Sequence, residues 1–93
     1  MIVLPEATLA WPVDDPSKVT VESLTPVFDA EPPVEILLFG GGRRLVPADP
    51  AIAERFREAG IAIEPMDTGA ACRTHSVLAA EERRVAAALI AVD

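Results

Sequence analysis

Residues 34–64 read VEILLFGGGRRLVPADPAIAERFREAGIAIE and hold a complete strand–helix–strand unit. Val34 to Phe39 is mostly apolar, the pattern of a strand buried on both faces. Gly40-Gly41-Gly42 breaks it. Asp49 followed by Pro50 is an N-cap with proline at the first helical position. Stepping about 100° per residue from Pro50 to Ala59 puts Ile52, Phe56 and Ala59 on one side. Glu54, Arg57 and Glu58 fall on the other, so the segment is an amphipathic surface helix. Gly60 is its stop signal, and Ile61 to Glu64 forms the second strand. Two strands joined through one helix make a right-handed crossover and therefore a parallel pair.

Working outward, Ile2-Val3-Leu4 reads as a short strand with a turn at Glu6-Ala7. Thr8 to Val13 reads as a second strand with Leu9, Trp11 and Val13 on one face. Pro12 has no N–H and confines that segment to an edge or a strand end. Asp14-Asp15-Pro16-Ser17 is turn chemistry. Thr20 is placed to cap a short helix from Val21 to about Ala30, though Thr25-Pro26 offers a second start for it. Beyond the central unit come a helix from Gly69 to Ala80 and a final strand from Arg84 to Val92, whose direction the sequence leaves open. The alternation of elements gives an α/β fold with a mostly parallel sheet, in one small domain over residues 1–93.

Ninety-three residues leave no room for a second core. Hydrophobic residues make up 51% of the chain and aromatics only 4%, so the core is built from aliphatic side chains. Eight basic residues against fifteen acidic ones give a net charge of −7. That field repels a nucleic-acid backbone and disfavours an anionic membrane surface. The longest apolar run, Val85 to Val92, is too short to span a bilayer, so no transmembrane segment is expected. Cys72 is the only cysteine, which rules out an internal disulfide and suits a reducing compartment. No basic and apolar leader opens the chain, and the expected location is cytoplasmic.

Residues 65–78, PMDTGAACRTHSVL, suggest chemistry twice. Asp67-Thr68-Gly69 looks like an aspartic-protease loop, but that chemistry needs two carboxylates sharing a proton. Here the triplet follows a parallel strand and opens a helix, so Asp67 or Thr68 reads as the cap. Along that helix Ala70, Ala71, Thr74, Val77 and Leu78 project as the core stripe. Cys72, His75, Ser76 and Ala79 lie opposite. Cys72 and His75 are neighbours three residues apart, yet no acid orients the imidazole, so no catalytic residue is assigned. Apart from Arg73 this second face carries no charge, the pattern of a helix packed on both sides. Cys72, His75, Ser76 and Ala79 are therefore the expected surface for another protein or for self-association.

The glycine turn offers a different reading. Gly40, Gly41 and Gly42 with Arg43, and the helix start at Asp67, Thr68 and Gly69 with Arg73, lie beyond the carboxyl ends of parallel strands. Open α/β sheets bind ligands there, so the alternative is a domain, binding or enzymatic, whose ligand is a small anion or nucleotide. The G-x-G-x-x-G spacing and the P-loop lysine are both missing. No metal and no cofactor is expected.

Several stretches together resemble a widespread domain family of unknown function that includes the mitochondrial respiratory complex I assembly factor 3. They are Leu9-Ala10-Trp11-Pro12-Val13, Ile36 to Gly42, Gly60 to Glu64, Met66 to Thr74 and Val85 to Ile90. The resemblance covers nearly the whole chain and is most specific at Asp67–Thr74. It implies a three-layer α/β structure around a mixed sheet, and a non-enzymatic module that binds proteins during assembly of a larger complex. Family members usually have an aromatic residue where His75 stands and asparagine where Ser76 stands. They also tend to carry a further segment ahead of the strand at 2–4. On that comparison one sheet edge is expected to be less covered here, which favours self-association. No activity carries over from the resemblance.

Overall fold

The apolar run after Val34 becomes β3 (Ile36–Gly40), the strand from which the sheet is organised in the computed structural model. The structure describes residues 1–92; Asp93, the last residue of the expected domain, lies outside the described residues. On one side β3 pairs in parallel with β4 (Ala62–Met66), Leu37 facing Ile63 in register. On the other it pairs in parallel with β5 (Val85–Leu89), which settles the direction of the final strand. β5 then meets β1 (Ile2–Val3) antiparallel, and β1 meets β2 (Thr8–Leu9) through a tight turn closed by Leu4 N–H donating to the Ala7 carbonyl. The result is one open, mixed, five-stranded sheet in the order β2-β1-β5-β3-β4.

Helices cover both faces. Between β3 and β4 runs α2 (Pro50–Ala59), started by the Asp49 side chain accepting from Ala51 N–H at 2.9 Å. It stops at Gly60, whose φ of 73° is the left-handed conformation that glycine adopts without strain. Ile52 and Phe56 of α2 pack with α1 (Thr25–Phe28) and with Leu37, Phe39, Ala86 and Ala88 of the sheet. On the opposite face α3 (Thr68–Ala80) packs alone over Leu38, Val85 and Ala87. The molecule is thus a three-layer α/β fold.

β5 is the hinge of this packing. Its run Val85-Ala86-Ala87-Ala88 is buried on both faces at 2% exposure or less. Alternate alanines let a helix layer settle closely on each side, as period-two alternation requires.

Four local expectations change. The second strand ends at Leu9, which is 37% exposed, while Trp11 is 7% exposed and leaves the sheet to enter the core. The cause is the indole N–H, which reaches the Ser23 carbonyl at 3.0 Å and draws the side chain inward. Ala59 of α2 is exposed, because the sheet is met only by Ile52 and Phe56. β4 runs on through Pro65 to Met66; as an edge strand it tolerates a residue without an N–H. β5 is shorter than expected, spanning Val85–Leu89 rather than residues 84–92. Near the N-terminus, Thr20 and Ser23 exchange side-chain and backbone hydrogen bonds, capping a 3-10 turn (Glu22–Leu24) that leads directly into α1 at Thr25.

Candidate functional site

β3 feeds a helix on one face and β4 feeds a helix on the other. Their carboxyl ends therefore diverge, and a crevice between such strands is where open α/β sheets place ligands. Here the crevice is stitched together by the chain itself. Gly41 N–H donates to the Met66 carbonyl at 3.0 Å, and Thr68 N–H to the Gly42 carbonyl at 2.8 Å. The Thr68 hydroxyl accepts from Gly42 N–H at 2.9 Å and donates to the Ile90 carbonyl at 2.6 Å. Ile90 N–H closes the set on the Gly40 carbonyl at 2.9 Å.

The glycines serve this seam. A Cβ added at Gly40 would stand 3.0 Å from Thr68 Cα, a backbone atom that cannot swing aside. Gly42 has φ of 99°, which only glycine adopts cheaply. A shallow depression outside the seam is lined by Gly42, Arg43, Asp67, Thr68, Gly69 and Val92. The structure thus brings together five of the eight residues of the anion reading, with Gly40 and Gly41 behind them. Arg73 reaches the rim: a Cβ on Gly69 would lie 3.4 Å from its Nη1. The amides of Gly41, Gly42 and Ala70 already have acceptors within the chain. The last of these is Asp67 Oδ1 at 2.8 Å, so the helix start carries its own carboxylate as N-cap.

α3 is rotated relative to its projected stripe. Ala71 is fully buried and Leu78 packs beside it, but Val77 is 59% exposed. At 100° per residue Val77 lies about 120° from Ala71, beyond the strands under the helix. His75, about 40° from Ala71 on the other side, is half-buried instead. The four residues of the expected partner surface therefore separate. Cys72, Ser76 and Ala79 are exposed, and His75 lies at the boundary with the sheet. Among the described residues no carboxylate bonds His75, and the Ser76 hydroxyl donates to the Cys72 carbonyl at 3.2 Å.

Burial holds the His75 imidazole below its ordinary value of 6.5. The unfolded chain then binds that proton more readily than the folded one. Stability is complete above the ordinary value and is lost as pH falls through it towards the lowered folded value. We expect the fall in Tm between about pH 7.5 and about pH 5.5 to be smaller in His75→Gln than in the parent. Equal falls would show that His75 is not the group responsible.

A second concavity carries no sequence motif and is not legible in the chain. It lies between the 3-10 turn at Pro16–Lys18 and the loop from β3 to α2. Val19, Leu24, Phe39 and Ile52 form its floor, with Pro16 and Pro47 at its sides. Its residues come from four separate segments, and only the Pro16 and Pro47 bends hint at it.

Comparison with known proteins follows this geometry. A family model described as protein of unknown function (DUF498/DUF598) matches residues 1–90. Over 88 residues the chain is 42% identical to NADH dehydrogenase [ubiquinone] 1 alpha subcomplex assembly factor 3 of Danio rerio, covering 95% of this chain and 51% of that protein. The chain spans about half the length of the curated relatives it matches. Among solved structures, an outer membrane protein from Bartonella henselae superimposes with a TM-score of 0.92 at 35% identity, covering 99% of this chain and 77% of that one. A protein from Bordetella parapertussis superimposes with a TM-score of 0.86 at 38% identity, covering 96% and 75%.

Proposed function

This chain belongs to the DUF498/DUF598 family of proteins of unknown function, and we propose that it is an assembly-factor-like module that binds another protein through the outer face of α3. The observation that carries this reading is a contrast between two helices of one sheet. The exposed side of α2 carries Glu54, Arg57 and Glu58, with Arg57 paired to Glu54. The exposed side of α3 presents Cys72, Ser76, Val77, Ala79 and Ala80, with Arg73 its one charge. In a chain of net charge −7, a whole helix face without a carboxylate is a surface suited to contact rather than to solvation. The names of the relatives supply the kind of partner: a subunit met during assembly of a larger complex.

The module acts by docking, and no chemistry of its own is assigned to Cys72 or His75. No helix among the described residues is long and apolar enough to cross a membrane.

The test is a paired substitution, Ser76→Glu with Ala79→Glu. Both positions are exposed, so the fold and its circular dichroism should be unchanged. Capture of a stoichiometric protein from the native host should fall at least about tenfold, since like or unpaired charge at a contact centre costs several kcal/mol. Unchanged capture by the folded variant refutes this surface.

A further inference from the structure

The two ends of α3 are complementary in charge, and we infer that a second copy of this chain docks on its outer face, the two α3 helices running antiparallel about Ser76. This rests on the reading that the outer face of α3 is a contact surface, and it adds a second copy of the chain as an occupant of that face. At 100° per residue from buried Ala71, Gly69, Arg73 and Ala80 point most directly away from the sheet, with Ser76 about 40° to one side. Gly69, Ser76 and Ala80 are small, and the Arg73 side chain folds back towards Gly69, so two helix axes can approach to within the roughly 8–10 Å packing range. Val77, 59% exposed, supplies apolar cover along one flank.

Shape alone admits any partner helix; charge selects the second copy. Arg73 is the one charged side chain on the exposed face. Its Nη1 lies back near Gly69, within 3.4 Å of where a Cβ on that residue would stand, so the guanidinium sits at the helix N-terminus. At the opposite end Glu81 and Glu82 follow the last turn, and Glu82 is held at φ 62° by the reversal that ends the helix. The next two residues are basic, but both are engaged: Arg83 lies 3.4 Å and Arg84 3.1 Å from the Glu35 carboxylate. The free charge of the helix end is therefore negative.

A twofold axis through Ser76 brings residue i level with residue 152 − i. It sets the second copy's Glu81 and Glu82 level with Ala71 and Ala70, beside the Arg73 guanidinium. Two such contacts form at once, one on each side of the axis. The positive end of each helix also meets the negative end of the other. A parallel arrangement would stack arginine on arginine and glutamate on glutamate. The contact is one 13-residue helix against another, smaller than the roughly 1,200 Å² of a stable interface. The dimer is accordingly weak and concentration-dependent.

Sedimentation over a concentration series on the full chain reads this out. The parent should pass from 9.9 kDa towards twice that mass as concentration rises. Arg73→Glu and Glu82→Arg should each raise the dimer Kd at least about tenfold, and the two together should restore it to within about threefold. In a Cys72→Ser background, Ser76→Cys should form a disulfide-linked dimer on oxidation, because that position lies on the axis. A monomer at every concentration overturns the proposal. So does a dimer indifferent to both charge reversals, or reversals that fail to rescue each other. The underlying reading is separable: a monomeric protein whose capture is still lost in the Ser76→Glu/Ala79→Glu variant keeps α3 as a surface for a different protein. A charge-sensitive dimer with unchanged capture keeps self-docking alone.

Discussion

Phe56→Ala should lower the unfolding free energy by about 3–5 kcal/mol, the largest single-residue loss expected in this domain. Phe56 is fully buried on α2, and its ring lies 4.6 Å from that of Phe28, centroid to centroid. Arg55 stands 4.3 Å over the outer face of the Phe28 ring. Truncation removes the aromatic contact that fixes α1 against α2 and leaves a cavity between them, which the short α1 cannot close by moving. A chain of 93 residues has roughly 5–14 kcal/mol of total stability. The variant should therefore unfold at a much lower urea midpoint with an unchanged m-value. An unfolding free energy within about 1 kcal/mol of the parent would mean that α1 is not held through this pair.

Thr68→Val should cost about 2–4 kcal/mol, although the two side chains have nearly the same shape. The Thr68 hydroxyl is at once the acceptor for Gly42 N–H and the donor to the Ile90 carbonyl. Valine leaves both groups without partners, and because the seam is only part-buried each costs about 1–2 kcal/mol. Thr68→Ser keeps the hydroxyl and should lose far less. Amide exchange gives the location: Gly42 and Ile90 should lose protection in the valine variant while the centre of α2 keeps it. If serine and valine cost the same, the hydroxyl is not what closes the crevice.

These two residues also mark what the sequence discloses. The segment 34–64 announces β3, α2 and β4 because its signals are local: an apolar run, Asp49-Pro50 to start the helix, Gly60 to stop it. Asp67 as a cap is legible for the same reason, and the separately quoted stretches already resemble the family to which the chain belongs. Less legible is anything fixed by distant partners. Trp11 leaves the strand pattern because Ser23 accepts its indole N–H. The helical projection of α3 gives the right kind of face but the wrong rotation, since where Val77 and His75 fall depends on which strands lie beneath. The acceptors of the Gly41 and Gly42 amides, Met66 and Thr68, come from a distant segment and give no local sign. Thr68, 26 residues from Gly42, gives no sign in the sequence that it closes that seam.

The central claim is that the outer face of α3, and not that of α2, meets the partner. A photo-activated crosslinking residue placed at Ser76 in one variant and at Glu58 in another tests it directly in the native host. Both sites are exposed on helices covering opposite faces of the sheet. The account predicts discrete crosslinked protein from position 76, whether a second copy or another chain, and only background from position 58. Crosslinking from position 58 with none from position 76 would contradict it.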